Sequence, residues 1–255
     1  MTDSAPTPTE RLSAEAFAAR LREIAAEIGV ALDDAQAAQF ARYRDLLLEW
    51  NARFNLTAIT DDAGILMRHF ADALTIVPAL DAAGLGAGAR VLDVGTGAGL
   101  PGIAIKIARP GWVVTLMDST AKKLGFCDAV IAALGLREIR TLHARAEEAG
   151  HSALRGGFDA VVARAVAALP TLVEYLLPFA RVGGTVIAMK GADAEADARA
   201  ASGAIGMLGG TPRAVVPVHL PGLSDQRALI VMGKARPTPH PYPRQGGKPR
   251  AQPLT

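Results

Sequence analysis

Three rhythms of apolar and polar residues follow one another along the chain. From Ser13 to about Gly84 the rhythm is helical. Apolar residues recur at Phe17, Leu21, Ile24 and Ile28, with Ser13 placed to cap the start and Gly29 to end the run. A second helix opens near Asp33 and Asp34 and carries Phe40, Tyr43, Leu47 and Trp50 on one stripe. A third covers about Ala63 to Leu80.

From Arg90 to about Met232 short β-branched runs alternate with helical stretches. The runs predict strands at Arg90–Val94, Val113–Asp118, Ile139–His143, Phe158–Ala163, Gly184–Lys190, Ala214–His219 and Arg227–Met232. Strand–helix alternation means βαβ units, hence an α/β protein with a mostly parallel sheet covered on both faces. Only a short loop with Pro221, Gly222 and Asp225 separates the last two runs, so these can pair antiparallel. The rest, from about Ala235, is rich in proline, glycine and basic residues and is expected to lack regular structure of its own. The organisation read from the sequence is therefore a disordered tail over 1–12, a helical extension over 13–84, a catalytic domain over 88–233 and a basic tail over 234–255.

Composition narrows the class. Half of the 255 residues are hydrophobic and 20% are charged, the balance of a globular chain rather than a disordered one. The single cysteine, Cys127, excludes an internal disulfide framework and reads as a small buried residue. The usual zinc spacings of cysteine and histidine are missing, so no metal is expected. The first residues carry acids and prolines instead of a basic, then apolar, leader, and no run approaches the ~18 apolar residues of a membrane span. A cytoplasmic protein without membrane attachment is the expectation. Net charge is only +2, but five basic residues (Lys234, Arg236, Arg244, Lys248, Arg250) and no acid lie from Lys234 onward. The body is thus mildly acidic, and the end is either a solvated tail or a contact for a polyanion such as RNA.

The strongest local signal runs from Val91 to Ile103. A buried strand leads into Gly95-Thr96-Gly97-Ala98-Gly99-Leu100-Pro101-Gly102, and a helix follows from Ile103 to Ala108. Glycines allow the backbone angles of such a turn and let a ligand reach the main chain. Past the carboxyl end of the first strand is where open α/β sheets bind ligands. Gly97, Gly99 and Gly102 also satisfy a dinucleotide fingerprint, so a nicotinamide-dependent oxidoreductase remains a reading of this turn. Asp93 tips the reading towards a ligand with an amino group and a cationic sulfonium, namely S-adenosylmethionine. Asp118, ending the second strand, suits the two hydroxyls of a ribose in either cofactor.

Around this turn the sequence resembles the RsmG (GidB) family of bacterial 16S ribosomal RNA methyltransferases. The likeness is carried by Gly95 to Gly102, Trp50-Asn51 with Phe54-Asn55-Leu56-Thr57, Arg68-His69 with Asp72, and Asp118-Ser119 with Lys122, Lys123 and Phe126. Arg145-Ala146-Glu147-Glu148, Ala163-Arg164-Ala165, Lys190-Gly191 and Pro241-Tyr242-Pro243-Arg244 continue it towards the end of the chain. Ala98 and Ala73 stand where many members carry proline and serine.

The resemblance implies a class I S-adenosylmethionine-dependent methyltransferase fold, Rossmann-like with seven strands, acting on N7 of a guanosine in 16S RNA of the small ribosomal subunit. It implies cofactor contacts at Gly95, Gly97, Leu100, Asp118, Ala146, Glu147 and Arg164. Gly95 and Gly97 would lie under methionine and ribose, Ala146 and Glu147 would meet the adenine edge, and Arg164 would stand at the lip, pairing with a carboxylate or phosphate. Glu147 beside Glu148 also reads as plain helix-surface charge. RNA contacts are implied at Arg68, His69, Lys190, Tyr242 and Arg244, although His69 also reads as a hydrogen-bonding residue inside the helical region. Trp50 and Phe54 read as packing residues, and Lys122 and Lys123 as surface charges or contacts. Guanine N7 has a free lone pair and no proton, so its methylation requires in-line positioning and no general base. A non-enzymatic RNA-binding protein that keeps the fold stays open beside these readings.

Overall fold

The computed structural model describes residues 11–164 and 167–255, so nearly all of the expected N-terminal tail lies outside the described residues. Helix α1 spans Ala14–Glu27 and is capped by the Ser13 hydroxyl, which accepts from the Ala16 N–H. Helix α2 spans Asp34–Phe54 and starts with a capping box between Asp33 and Gln36. Their predicted apolar stripes are buried: Phe17, Leu21 and Ile24 on α1, and Phe40, Tyr43 and Leu47 on α2. Helix α3 spans Asp62–Ala82, a segment long and apolar enough to cross a membrane, yet 67% of its apolar window is buried inside the protein. Its stretch Ile65–Ala71 is wound as a π-helix. Phe70 from that stretch packs between Phe17, Phe40 and Tyr43.

Among the described residues seven strands follow: β1 (Arg90–Val94), β2 (Val113–Asp118), β3 (Ile139–His143), β4 (Phe158–Arg164), β5 (Ala180–Lys190), β6 (Gly210–Val218) and β7 (Arg227–Lys234). They form one sheet in the order β3-β2-β1-β4-β5-β7-β6. The first five are parallel, β7 runs antiparallel to β5, and β6 antiparallel to β7, as the short loop between them predicts. Strands β1 to β3 end where the sequence pattern ends them. Strand β6 begins four residues before its predicted start, because most of its side chains are exposed and no apolar alternation marks it. As an edge strand it tolerates Pro212 and Pro217, whose missing N–H groups leave no ladder bond broken inside the sheet.

Alternation sends neighbouring strand residues into two cores. Val91 and Val162 face the core shared with α1 to α3, while Leu92, Val161 and Ala163 face the other. The first core is also built by α4 (Gly102–Ala108) and α5 (Ala121–Ala133). The second is covered by α6 (Ala146–Ala149), α7 (Leu169–Leu176), α8 (Ala194–Ala200) and α9 (Ser202–Met207). The chain reverses winding between β1 and β4, the switch point where an α/β sheet opens a crevice.

The C-terminal stretch differs from its expectation. It contains a short helix, α10 (Lys248–Ala251), and is strapped across the second core. Arg155 donates to the carbonyls of Tyr242 at 2.6 Å, Thr238 at 2.7 Å and Pro239 at 3.0 Å. Thr171 donates to the Pro249 carbonyl at 2.9 Å. Proline-rich composition leaves backbone acceptors without partners in the segment itself, and side chains from elsewhere supply the donors.

Candidate active site

The glycine-rich turn is held from beneath by Asp93. This carboxylate is fully buried, and its Oδ2 accepts from the Thr96 hydroxyl at 2.6 Å and the Gly102 N–H at 2.8 Å. Burial pushes its pKa up to about 6, against the pull of those two bonds. Asp93 therefore organises the turn, and its side chain is buried beneath Gly102, which packs directly over it. A Cβ at Gly102 would lie 2.2 Å from Leu116 and 2.8 Å from Asp93. Behind the turn, Tyr43 of α2 donates to the Ala98 carbonyl, and Gln36 to the Ile107 carbonyl at 2.8 Å. The helical extension thus buttresses the turn. Tyr43 reads in the sequence only as a stripe residue, and its hydroxyl carries no local signal of this bond.

On the solvent side, Gly97 has φ +59°, and a Cβ there would meet nothing nearer than the Gly95 carbonyl at 4.0 Å. Its N–H donates to Asp118 Oδ2 at 3.0 Å, while Asp118 Oδ1 accepts from the Thr120 N–H at 2.8 Å. Each oxygen of Asp118 keeps a lone pair, the acceptor capacity that a diol needs. A cleft of about 760 Å³ opens here, lined by Gly95, Asp118, Ala146, Glu147 and Arg164 among others. Five of the seven predicted cofactor residues thus surround one cleft, and Gly97 is bonded to its Asp118 wall. Leu100 does not join them: its side chain is buried in the first core, only 4% exposed.

Arg164 ends β4 beside the switch point. Its guanidinium donates to Asp72 Oδ2 at 3.0 Å and to the Arg68 carbonyl at 3.2 Å. Asp72 is itself buried, and its Oδ1 is paired with Arg227 at 3.2 Å. Arg164 also borders a second cavity of about 430 Å³, lined by Arg68, His69, Asp72, Lys190 and Arg227. The π-helical stretch of α3 presents Arg68 and His69 to it, the kind of local widening that recurs at functional sites. Burial, and then the nearby Arg164, push the His69 pKa down to about 4, so its imidazole is neutral at physiological pH. Arg227 was not singled out by the sequence, where it marks only the start of a strand.

Comparison with known proteins fits this geometry. A family model described as rRNA small subunit methyltransferase G matches residues 36–229. The chain belongs to this family. Curated members named ribosomal RNA small subunit methyltransferase G include those of Acetivibrio thermocellus, 46% identical over 92% of this chain and 96% of the relative, and Lactobacillus johnsonii, 43% identical over 95% and 100%. Among solved structures, geranyl diphosphate methyltransferase in complex with SAM has a TM-score of 0.51 and 16% identity over 64% of this chain and 85% of that one, a likeness of fold. The fold is that of a class I methyltransferase. Membership favours the methyltransferase reading of the glycine turn over the dinucleotide one.

Within the family frame, the five residues expected at RNA separate into two groups. Arg68, His69 and Lys190 surround the second cavity. Each already has a partner: Arg68 pairs with Asp225, His69 Nε2 is hydrogen-bonded to Thr57 Oγ1 at 2.8 Å, and Lys190 pairs with Asp197 at 2.8 Å. Tyr242 and Arg244 lie elsewhere. The Tyr242 hydroxyl approaches Met207 Sδ at 3.1 Å. Arg244 is committed to the wholly buried Glu174, donating from Nε at 3.0 Å and from a terminal nitrogen at 2.8 Å. Such a pair leaves this arginine as a fastening for the strap rather than an open phosphate contact, because releasing it would strand a buried carboxylate. Lys234, counted with the basic tail, is likewise buried and donates to the Leu208 carbonyl at 2.9 Å. Trp50 and Phe54 pack against each other, with Trp50 also against Phe126 and Lys122 over Phe54. Cys127 is buried as expected, its Sγ 3.6 Å from the Gly97 carbonyl.

Proposed function

We propose that this protein transfers the methyl group of S-adenosylmethionine to N7 of a guanosine in 16S RNA of the small ribosomal subunit. The observation that carries the reading is the pair of cavities meeting at Arg164: one on the solvent side of the glycine turn, the other ringed by cations. The residues fit the donor. Asp118 offers two free lone pairs to ribose hydroxyls, Gly97 leaves open space before the main chain, and Glu147 stands in α6, just after β3, where an adenine edge would lie. When bound, the donor supplies an electrophilic methyl on a cationic sulfur. The chain's own part is to hold and orient. Arg164 fixes the wall between the two cavities through Asp72, and the second cavity receives the acceptor base beside Arg68, His69 and Lys190. His69, neutral at physiological pH, can share a hydrogen bond there without adding charge against a purine that becomes cationic on methylation. N7 presents its lone pair without deprotonation, so alignment and exclusion of water are the main demands.

The test is transfer of labelled methyl to small subunits from bacteria lacking this modification, with the product mapped by cleavage at N7-methylguanosine. One labelled guanosine in 16S RNA is the expected result. Label on another base, or none despite measured donor binding, would overturn the acceptor assignment.

A further inference from the structure

The cleft assigned to the methyl donor is lined by more cations than the donor can use. Lys123 of α5, Arg145 before α6, Arg164 of β4 and Arg250 of α10 all border it. Among the described residues, two acids, Asp118 and Glu147, line it. Arg164 is neutralised by Asp72 at 3.0 Å. Arg145 reaches Glu147 only at 3.8 Å, and its side chain is 65% exposed. The donor's sulfonium is itself a cation, so Lys123, Arg145 and Arg250 repel that part of it. Its single carboxylate cannot occupy three positive side chains from three separate elements.

Arg250 is not at the cleft by accident of a loose tail. The Arg244–Glu174 pair, the Arg244 bond to the Gln252 carbonyl at 2.8 Å and the Thr171 bond to Pro249 hold α10 against α7 on both sides of Arg250. Two of the tail's five cations, Lys234 and Arg244, are consumed inside the fold, and the bonds of Arg244 hold the segment that places Arg250 at the rim.

Resting on the RNA methyltransferase reading above, we infer that Lys123, Arg145 and Arg250 form a phosphate-binding rim for the RNA backbone around the mouth of the donor cleft. The strap, once folded, serves RNA through one positioned arginine rather than as a free polycation. Anionic oxygens are the chemistry this rim takes, and two sources supply them: RNA phosphates and the donor's carboxylate.

The experiment uses the full chain and 16S RNA transcribed in vitro as probe, with Lys123→Ala, Arg145→Ala and Arg250→Ala combined. RNA affinity is measured across a salt series and S-adenosylmethionine affinity by calorimetry. Each lost phosphate contact lowers the magnitude of the log–log salt slope by about 0.7 to 0.9. The expected result is a slope reduced by about 2 to 3, RNA binding weaker by at least tenfold at low salt, and donor affinity held within about twofold. Weakened donor binding with an unchanged RNA slope would overturn the proposal and assign the cations to the carboxylate. Unchanged RNA and donor affinities would overturn it as well. Wild-type protein that binds the donor but shows no salt-dependent RNA binding would instead overturn the parent reading. Circular dichroism and thermal unfolding check that the variant folds. Arg250→Lys alone, which retains charge, should keep most of the slope.

Discussion

One wall of the donor cleft is the glycine turn, set in the continuous stretch Asp93 to Gly102 whose main chain folds onto two carboxylates, whereas the neighbouring cavity is assembled from side chains on α3, β4, β5 and β7. Contiguous residues can be read from spacing, so the glycines, Asp118 and the strand before them stand out in the sequence. The second cavity depends on pairing across the chain: Asp72 meets Arg164 and Arg227, which are far away in sequence. Nothing local announces that Arg227 belongs there. The difference also sets how each cavity should fail. A backbone-built site fails by crowding, and a side-chain-built site fails by stranded charge.

The largest effect is expected in the second cavity. Asp72→Asn leaves Arg164 and Arg227 facing each other without their shared counter-charge. Removing one partner of a buried pair costs about 3 to 5 kcal/mol. Both guanidinium side chains retain some exposure, 19% and 24%, so water relieves part of this and about 3 kcal/mol is expected. Urea unfolding measures it as a lower midpoint with an unchanged slope. A shift below about 0.5 kcal/mol would show that the arginines find other partners and that the cavity is not held by charge.

Crowding should come next. Gly102→Ala places a Cβ 2.2 Å from Leu116 Cδ2 and 2.8 Å from Asp93 Oδ2. Overpacking of this kind costs about 1 to 3 kcal/mol, and about 2 kcal/mol is expected because Leu116 can yield while the Asp93 bond cannot. Donor affinity should fall together with stability, since Asp93 ties Thr96 and Gly102 into one turn. Full stability with normal donor binding would mean that the turn adapts and that its close packing is dispensable.

Asp118→Ala sharpens the comparison, because it removes a side chain from the backbone-built cleft. Lost are the anchors of the Gly97 and Thr120 N–H groups and the acceptors for ribose hydroxyls. A hydrogen bond to a charged group is worth about 1.5 to 3 kcal/mol, so donor affinity should drop at least about tenfold by calorimetry. An unchanged affinity would remove Asp118 from the donor site.

Legibility follows the same division as the architecture. Strands β1 to β3 are readable to their last residue because each apolar run stops at a break in the pattern: Gly95 after β1, Asp118 at the end of β2 and Arg145 shortly after β3. Asp93 shows the limit: its spacing from the turn was plain, but only burial distinguishes a residue that holds the turn from one that holds the ligand. The basic tail shows it again. Its composition suggested a free end, yet Arg155, Thr171 and Glu174, all far off in sequence, pin it down. Arg244 therefore read as an RNA contact when the structure makes it a fastening.

The smallest effect separates the two regions by the sign of their titration. Asp93 is raised to about 6 by burial, so the folded protein binds its proton more readily than the unfolded chain. Its contribution to stability therefore falls as pH rises from about 4 to about 6. His69 is lowered to about 4 by burial and Arg164, so the folded protein resists its proton. Its contribution rises with pH from about 4 to about 6.5. Each slope is at most about 1.4 kcal/mol per pH unit, and across the shared window the two oppose, leaving the wild-type profile shallow. Asp93→Asn should leave the rising slope exposed, and His69→Asn the falling one. Urea midpoints for the three proteins at about pH 4, 5 and 6 resolve this. Divergence of the two variants in opposite directions from wild type is the expected pattern. Three parallel profiles would mean that neither group changes its proton occupancy on folding, and that the two regions differ in construction but not in charge.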